Sequence, residues 1–388
     1  MKGSQKLSIF MQSEIRNMSI ECDKVNGINL SQGVCDLPLA DVLKEGVQEA
    51  LEEGYNHYTR YDGIPELREQ IAGKLNRFNS IQADPATQIC VSCGATGALY
   101  CACYALFNPG DEVLLFEPFY GYHEYTLVSL NLIPVYVKLH RPDWSFSIDE
   151  LEKFISKRTK AILINTPANP CGKVFTQNEL ELLSAFAVRH DLTILTDEIY
   201  EYITFDGRKH ISPACIEKSS DRTVTISGYS KTFSITGWRI GYAVAAAPIT
   251  DWIGAVNDML YVCAPAPLQY AVAKAINHLD DAYYEEMRQG YQQKRDLLCK
   301  TLSDVGIQPY VPQGAYYILA DVSALPGATG KERAMWLLDK TGIGVVPGES
   351  FFKDRTDGKN LVRFCFAKDM RVIEEACERL VQHKKEWR

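Results

Sequence analysis

The sequence lacks the features that mark membrane, secreted and nucleic-acid-binding proteins. No apolar run reaches the ~18 residues that a helix needs to span a bilayer. Residues 1–16 have too short an apolar core for a secretory signal, and Glu14 interrupts it. No basic block occurs and the formal net charge is −8, which disfavours binding to nucleic acid or to anionic membranes. We therefore expect a globular protein of the cytoplasm.

Two nucleotide-binding fingerprints are also missing. The sequence has neither the G-x-G-x-x-G of dinucleotide-binding folds nor the G-x-x-x-x-G-K-[ST] of phosphate-binding loops. Their absence disfavours a nicotinamide-dependent dehydrogenase, the generic interpretation of an α/β sheet. No internal repeat, low-complexity segment or Gly/Ser linker interrupts the 388 residues, so we expect the domains to pack on one another.

Cysteine, by contrast, is plentiful, with 12 residues. Cys90, Cys93, Cys101 and Cys103 lie close enough in sequence to suggest zinc, which needs two converging ligand pairs. However, Cys101 and Cys103 stand two apart in a helix-like run, where positions i and i+2 point to different faces. We therefore predict core thiols and no metal site. Cys171 is the one cysteine that we single out for possible reactivity.

Short β-rich runs alternate with amphipathic helical stretches over about residues 89–246. Several of these runs are apolar throughout, as expected for strands buried on both faces of a parallel sheet. Helical candidates such as 95–107 and 176–190 lie between them. The seven strand candidates are residues 88–93, 111–118, 133–139, 160–167, 192–200, 222–230 and 239–246.

The rest of the chain predicts a second, smaller unit. After Pro248 the pattern is helical to about residue 305, and strands follow near 314–321, 343–346 and 361–366. A last helix is predicted over 369–386. The fold class is thus α/β, with a mainly parallel seven-stranded sheet flanked by helices plus a smaller α/β domain. We expect residues 46–285 to form the large domain, and residues 1–45 and 286–388 together to form the small one.

Candidate ligand-binding residues follow the predicted strands, at the edge where parallel α/β sheets bind ligands. Asn169, Asp197 and Lys231 each follow or end a strand, and Gly94 opens a helix whose N–H groups attract anions. Each alone is weak evidence, because turns and solvated lysines use the same residues. Together they offer an amine nucleophile, a carboxylate, neutral donors and an anion cradle, the set that pyridoxal 5′-phosphate (PLP) requires.

The lysine segment 227–241, SGYSKTFSITGWRIG, resembles the Schiff-base lysine signature of the class I/II aminotransferases, which are fold-type I PLP enzymes. The resemblance spans about residues 28–386. Its supporting motifs, in family order, are residues 58–63 (YTRYDG), 94–96 (GAT), 108–113 (NPGDEV), 169–172 (NPCG), 197–200 (DEIY) and 362–366 (VRFCF).

The resemblance implies a role for each motif residue. Lys231 forms the Schiff base and moves the proton, Asp197 pairs with the pyridine nitrogen, and Tyr200 acts on the ring oxygen. Tyr58 reaches the phosphate of the neighbouring subunit, which implies a homodimer with active sites at the interface. Gly33, Asn169 and Arg363 hold the substrate, Arg363 through its guanidinium fork. The implied cofactor-binding residues are Gly94, Ala95, Thr96, Tyr120, Asn169, Asp197, Tyr200, Ser230, Lys231, Arg239 and Tyr58.

The implied reaction transfers the amino group of an L-amino acid to a 2-oxo acid such as 2-oxoglutarate by a ping-pong mechanism. Thr96 stands where aspartate-specific members carry a lysine, so the pocket has no evident second cation. The GAT motif with residues 117–120 (EPFY) is more like the kynurenine, glutamine, methionine and aromatic branch. We therefore predict a neutral or aromatic substrate, while aspartate-like specificity and a C–S β-lyase on the same fold stay open.

Two positions depart from the family pattern or escape it. Gly228 stands where many members have a phosphate-binding serine, which leaves Ser230 as the hydroxyl donor and Ser227 as a candidate helper. The N-terminal segment, with Phe10 and Arg16, is a candidate lid over the site, and no motif shows where this segment lies.

Overall fold

The predicted alternation of strands and helices is present in the computed structural model, which describes Gly3 and residues 14–387. Short 3₁₀ turns occupy Pro213–Cys215, Glu217–Arg222, Gly348–Phe351 and Lys384–Glu386, and a π-helical turn spans Leu75–Asn79. The strands are β1 (Ile28–Asn29), β2 (Ile89–Cys93), β3 (Glu112–Glu117), β4 (Ile133–Lys138), β5 (Thr159–Asn165), β6 (Thr193–Asp197), β7 (Thr223–Gly228), β8 (Ile240–Val244), β9 (Gln308–Tyr310), β10 (Tyr317–Asp321), β11 (Ile343–Gly344), β12 (Val346–Pro347) and β13 (Leu361–Cys365). The helices are α1 (Glu14–Lys24), α2 (Asp41–Glu52), α3 (Pro65–Lys74), α4 (Gly94–Leu106), α5 (Gly121–Ser129), α6 (Ile148–Glu152), α7 (Gln177–Arg189), α8 (Ala247–Tyr261), α9 (Ala266–His278), α10 (Asp281–Asp304), α11 (Gly330–Thr341), α12 (Arg355–Gly358) and α13 (Met370–His383).

The large sheet contains the seven predicted strands in the order β2-β8-β7-β6-β5-β3-β4. All neighbouring pairs are parallel except those of β8, which runs antiparallel to β2 and β7. Side chains alternate between two apolar layers because successive strand residues point to opposite faces. One layer takes Leu115, Leu163 and Leu195, and the other takes Leu114, Ile162 and Ile194. The α/β fold with a mainly parallel seven-stranded sheet is confirmed.

The strand directions bring the predicted site residues to one edge of the sheet. Asn165 pairs with Asp197 at the carboxyl ends of β5 and β6, and Asp197 pairs with Ile226 of β7. Because β8 is antiparallel, its first residues lie at this same edge. Arg239 immediately precedes β8, so its backbone starts beside the carboxyl ends of the parallel strands.

Both ends of the chain meet in the second part of the fold. β1 pairs in parallel with β11, with Ile28 opposite Ile343, so the N-terminal segment packs against the C-terminal section. An antiparallel sheet of order β12-β13-β10-β9 forms the rest of that section. The predicted boundary at residues 45–46 falls inside α2, whose Leu43 packs with the large-sheet cluster of Ile64 and Ala273. The exact division into two domains stays a prediction.

Three of the four clustered cysteines lie in the core, as predicted, and the fourth, Cys93, is partly exposed. Cys90, Cys101 and Cys103 are buried and free. Burial raises the pKa of Cys103 to about 12, so the thiol stays protonated. Burial also raises the pKa of Cys171 to about 11, which opposes the reactivity that we had singled it out for. None of the described helices is long and apolar enough to cross a membrane.

A buried charged network lies behind the carboxyl end of β6. The Lys74 ammonium is 2.5 Å from Glu201 Oε2, and the Ser227 hydroxyl donates to Glu201 Oε1 at 2.8 Å. His210 Nε2 lies 2.8 Å from Glu198 Oε2. Glu198, Glu201 and His210 have the composition of a metal site, but protein partners already bond both carboxylates. The network instead ties α3 and β7 to the turn that carries the predicted cofactor residues.

We predict that Lys74→Met lowers the free energy of unfolding by about 3–5 kcal/mol, because it leaves Glu201 as an uncompensated buried carboxylate. The measurement is chemical unfolding beside the control Lys300→Met, whose side chain is 77% exposed. The control is expected to stay within about 0.5 kcal/mol of the parent. A Lys74 variant as stable as the control would contradict the structural role of this network.

Candidate active site

A cavity of about 430 Å³ opens at the carboxyl edge of the large sheet. It brings together nearly all of the residues that the motifs predicted. Gly94 and Tyr58 are the two exceptions among the predicted residues. The predicted residues that line it are Gly33, Ala95, Thr96, Tyr120, Asn169, Asp197, Tyr200, Ser230, Lys231, Arg239 and Arg363.

Lys231 is the amine of the cavity. It follows β7 by three residues, and its Nζ donates to the Gly33 carbonyl at 3.1 Å. The Nζ also lies 5.8 Å from the centre of the Tyr316 ring. Burial lowers the pKa of Lys231, since a partly dry environment disfavours the ammonium. A larger fraction of neutral amine is therefore present than for a solvated lysine, as a nucleophile or base requires.

Asp197 is the carboxylate of the cavity. It ends β6 and is only 9% exposed. His123 Nε2, from α5, lies 2.8 Å from Asp197 Oδ2, and the Ile199 N–H donates to Oδ1 at 3.3 Å. These contacts orient the carboxylate in a fixed direction. His123 also meets the Tyr120 ring edge-on, with 5.4 Å between ring centres.

An anion cradle lies at the start of α4. No side chain caps this helix and no acidic residue occupies its first turn, so the N–H groups of its start face the cavity unclaimed. A Cβ at Gly241 would lie 2.3 Å from Ala95 N, so β8 touches the helix start only because this residue is glycine. The Arg239 guanidinium lies directly against Gly94, which has a φ of +75°. Ser230 completes the cradle with a buried hydroxyl.

Arg363 is a buried cation with neutral partners. It comes from β13 and is 1% exposed. Its guanidinium donates to Asn169 Oδ1 at 2.9 Å and to the Ser31 carbonyl at 2.7 Å, and it stacks on Tyr317 at 4.2 Å from the ring centre. Its Nε has no hydrogen-bond partner. Among residues 14–387, no carboxylate forms an ion pair with it, so the cavity holds an uncompensated fork donor.

A tyrosine pair closes the wall between Lys231 and Arg363. The hydroxyls of Tyr200 and Tyr317 are 3.1 Å apart. A Cβ at Gly33 would lie 1.9 Å from the Tyr317 hydroxyl, so only glycine allows this approach. The Tyr316 hydroxyl donates to the Gly33 carbonyl at 3.1 Å.

The family model described as aminotransferase class I and II matches residues 25–380. The chain belongs to this family. It is 35% identical over 99% of its length to aromatic-amino-acid aminotransferase 2 of Thermococcus litoralis and 36% identical over 98% to aspartate aminotransferase of Pyrococcus abyssi, covering 98% and 97% of those proteins. The solved structure of N-succinyldiaminopimelate aminotransferase from Mycobacterium tuberculosis superposes with a TM-score of 0.94 and 31% identity over 98% of this chain and 99% of the other.

Several residues of this aminotransferase site have no motif of their own. His123 on α5 and Tyr317 on β10 touch predicted residues, and in the sequence only their places after the EPFY motif and at the start of β10 pointed to them. Arg16 of α1 also lines the cavity. The expectation that the pocket has no second cation is therefore wrong, because sequence motifs do not show how the N-terminal helix folds back. Phe10 lies outside the described residues.

Two further expectations are resolved by contacts. Ser227 is not part of the anion cradle, since its hydroxyl donates to Glu201 and to the Glu198 carbonyl. Gly228 pairs with Gly241 where β7 runs beside β8, and a Cβ there would lie 2.9 Å from Gly241 Cα, so a serine at this position would force the strands to shift. Tyr58 is 84% exposed and lies outside the cavity, in a separate groove, so this structure does not bring it to the predicted cofactor residues.

We predict that Lys231→Met raises the stability of the cofactor-free aminotransferase at pH 7 while abolishing transamination. Because folding lowers the pKa of Lys231 below its value of 10.5 in the unfolded chain, protonation favours the unfolded state at neutral pH. This penalty disappears as the pH rises toward 10.5, so the advantage of the variant should shrink with it.

The test compares thermal midpoints of the parent and the variant at pH 7 and pH 9.5, with the exposed Lys160→Met as the control. A variant that is less stable than the parent, or a difference that does not change with pH, would contradict the proposed environment of Lys231.

Proposed function

We propose that this aminotransferase binds PLP and transfers the amino group of a neutral or aromatic L-amino acid to a 2-oxo acid such as 2-oxoglutarate. The observation that carries the proposal is the Arg363 guanidinium, buried without a counter-ion in the cavity that holds Lys231. A buried charge without a partner is costly in a resting fold. A substrate carboxylate would supply the missing anion within reach of an amine of lowered pKa.

The donor set fits PLP. Bound PLP supplies an aldehyde for amine chemistry and a ring that accepts the electrons released at the substrate Cα. Its phosphate would meet the uncapped start of α4, the Ser230 hydroxyl and the Arg239 guanidinium, which among the described residues donates only to the Thr236 carbonyl at 3.0 Å. These groups combine the charge of a guanidinium with the dipole of a helix start, and none of them is a carboxylate. Together they suit the phosphate dianion.

Asp197 and its neighbours suit the ring. Asp197 would accept a hydrogen bond from the protonated pyridine nitrogen, while His123 holds the other side of the same carboxylate at 2.8 Å. Tyr120 is proposed to cover one ring face. The Tyr200 hydroxyl and the Asn169 amide are proposed as the neutral donors to the ring oxygen, where they stabilise its negative charge.

Lys231 is proposed to move the proton. Its Nζ lies in the cavity and, among the described residues, donates to the Gly33 carbonyl alone, and its lowered pKa leaves part of the amine free to take a proton from the substrate Cα. The same Nζ can afterwards give the proton back, so that one side chain acts first as the base and then as the acid. Tyr316 holds Gly33 from behind, so the acceptor stays in position.

Arg363 is proposed to fix the α-carboxylate. Two parallel N–H donors bind a carboxylate in one orientation, which aims the Cα–H bond at the lysine. Asn169 and Gly33 border this position. The walls toward the substrate side chain include Leu99, Tyr122 and Thr96, which suits a neutral or aromatic group.

Assembly and location stay predictions of the same proposal. The exposed Tyr58 and its neighbouring groove, which includes Tyr55 and Arg60, are proposed to face a second copy of the chain. We also propose the division into a large domain of residues 46–285 and a small domain of 1–45 with 286–388, for which the pairing of β1 with β11 is the support. A cytoplasmic location is proposed with them.

The decisive test is a half-reaction. Protein loaded with PLP should absorb in the visible, and addition of L-phenylalanine alone should release about one equivalent of phenylpyruvate per site and then stop. Lys231→Ala should release none. Continuous release of pyruvate and ammonia from a cysteine conjugate would favour the C–S β-lyase, and the absence of visible absorbance after PLP addition would refute the proposal.

We predict that Arg363→Gln raises KM for the amino acid by about 100-fold or more, because a charge-assisted fork is replaced by one neutral amide. Its unfolding midpoint should stay equal or rise, since an unpaired buried charge is removed. Arg363→Lys keeps the charge but lacks the fork, so its KM should lie between that of the parent and that of Arg363→Gln. Unchanged KM values in both variants would remove Arg363 from substrate binding.

A further inference from the structure

Four cationic side chains line the catalytic cavity: Lys231, Arg239, Arg363 and Arg16. The proposed function uses the first three, for proton transfer, for the cofactor phosphate and for the α-carboxylate. Arg16 has no role in it. The sequence analysis named Arg16 only as part of a candidate lid and gave it no ligand.

The Arg16 guanidinium is free of partners within the part of the chain that the structure describes. Its side chain is exposed, and it forms no ion pair or hydrogen bond there. Two of the three acidic residues of its own helix form other ion pairs, Glu14 with Lys331 at 3.1 Å and Glu21 with Lys24 at 2.8 Å, and the third, Asp23, lies about two helical turns away. Helix stability therefore does not account for this arginine.

Helix α1 is held against the substrate side of the cavity. The Ser19 hydroxyl lies 3.2 Å from the Ser31 hydroxyl, and the Ser31 carbonyl accepts from Arg363. Ile15, next to Arg16, lines the cavity as well. One continuous set of contacts thus connects the helix that carries Arg16 to the guanidinium proposed to bind the α-carboxylate.

The rest of the cavity offers no competitor for Arg16. Of the described residues that line it, Asp197 alone is a carboxylate, and His123 orients it at 2.8 Å on the side proposed for the cofactor. The remaining walls near the substrate are neutral, with Thr96 and Tyr122 among them. An anionic group at the outer end of a substrate would meet one unpaired guanidinium and no like charge.

We propose that Arg16 binds the distal carboxylate of short dicarboxylic substrates, of which 2-oxoglutarate is the type. This inference rests on the proposed function and deepens it, because it names Arg16 as the residue that selects dicarboxylic acceptors. Arg363 binds one carboxylate and Arg16 the other, so both ends of the acceptor are paired. Because Arg16 is exposed, its charge stays hydrated when a neutral amino donor occupies the same cavity, and both substrate types are accepted in turn.

The test uses two acceptors of equal chain length, 2-oxoglutarate and 2-oxopentanoate, with L-phenylalanine as the donor. The variants are Arg16→Gln and Arg16→Lys, and the control is Arg371→Gln, whose parent side chain is 89% exposed outside the cavity. Arg16→Gln should raise KM for 2-oxoglutarate about 10- to 100-fold, the loss expected for a charge-assisted hydrogen bond. KM for 2-oxopentanoate should stay within about 2-fold, and Arg16→Lys should recover part of the loss.

The outcomes separate this proposal from the proposed function. Equal effects of Arg16→Gln on both acceptors, or no effect on 2-oxoglutarate, would overturn the role of Arg16 while transamination stands. Turnover of neither acceptor by the parent would refute the proposed function instead. In that case calorimetric binding of glutarate, compared with pentanoate, decides on Arg16 alone, since it requires no catalysis. Weaker glutarate binding by Arg16→Gln supports the proposal, and equal binding overturns it.

Discussion

The site depends on one buried guanidinium that three distant segments share. Arg363 on β13 bonds the Ser31 carbonyl from the N-terminal segment and the Asn169 amide from the large sheet, and it stacks on Tyr317. Neutral partners compensate a buried charge only partly. The segments that carry Ser31 and Arg363 are therefore held against the large sheet around a cation for which we propose a substrate carboxylate as the partner.

The direction of the strands explains why the other groups meet this cation. Parallel strands end at one edge, and β8 begins there because it alone runs the opposite way. Asp197 and Lys231 therefore arrive from consecutive parallel strands, and Arg239 arrives from the start of the antiparallel one. Gly94 and Gly241 are needed where β8 presses against the start of α4, since a Cβ at Gly241 would overlap that backbone.

Residues that follow strands were predictable from sequence, and residues that reach the site by packing were not. Seven strand runs, the lysine segment and the Asp197 turn follow local patterns of apolar residues and motif spacing. His123, Tyr317 and Arg16 act through contacts between elements far apart in the chain, and each has an ordinary core or surface neighbourhood in sequence. The second cation escapes the motifs for this reason, because Thr96 lies within a motif while Arg16 reaches the cavity through the packing of α1.

The charge around the cavity also differs from what the overall composition indicates. The chain carries a net charge of −8, yet the cavity gathers four cations around one carboxylate, and the buried carboxylates Glu198 and Glu201 face away from it toward Lys74 and His210. Overall charge thus describes solubility and repulsion between molecules, while the local field decides what enters. A cavity of this sign suits the two carboxylates proposed for the acceptor, since their binding would offset the repulsion among the cations that line it.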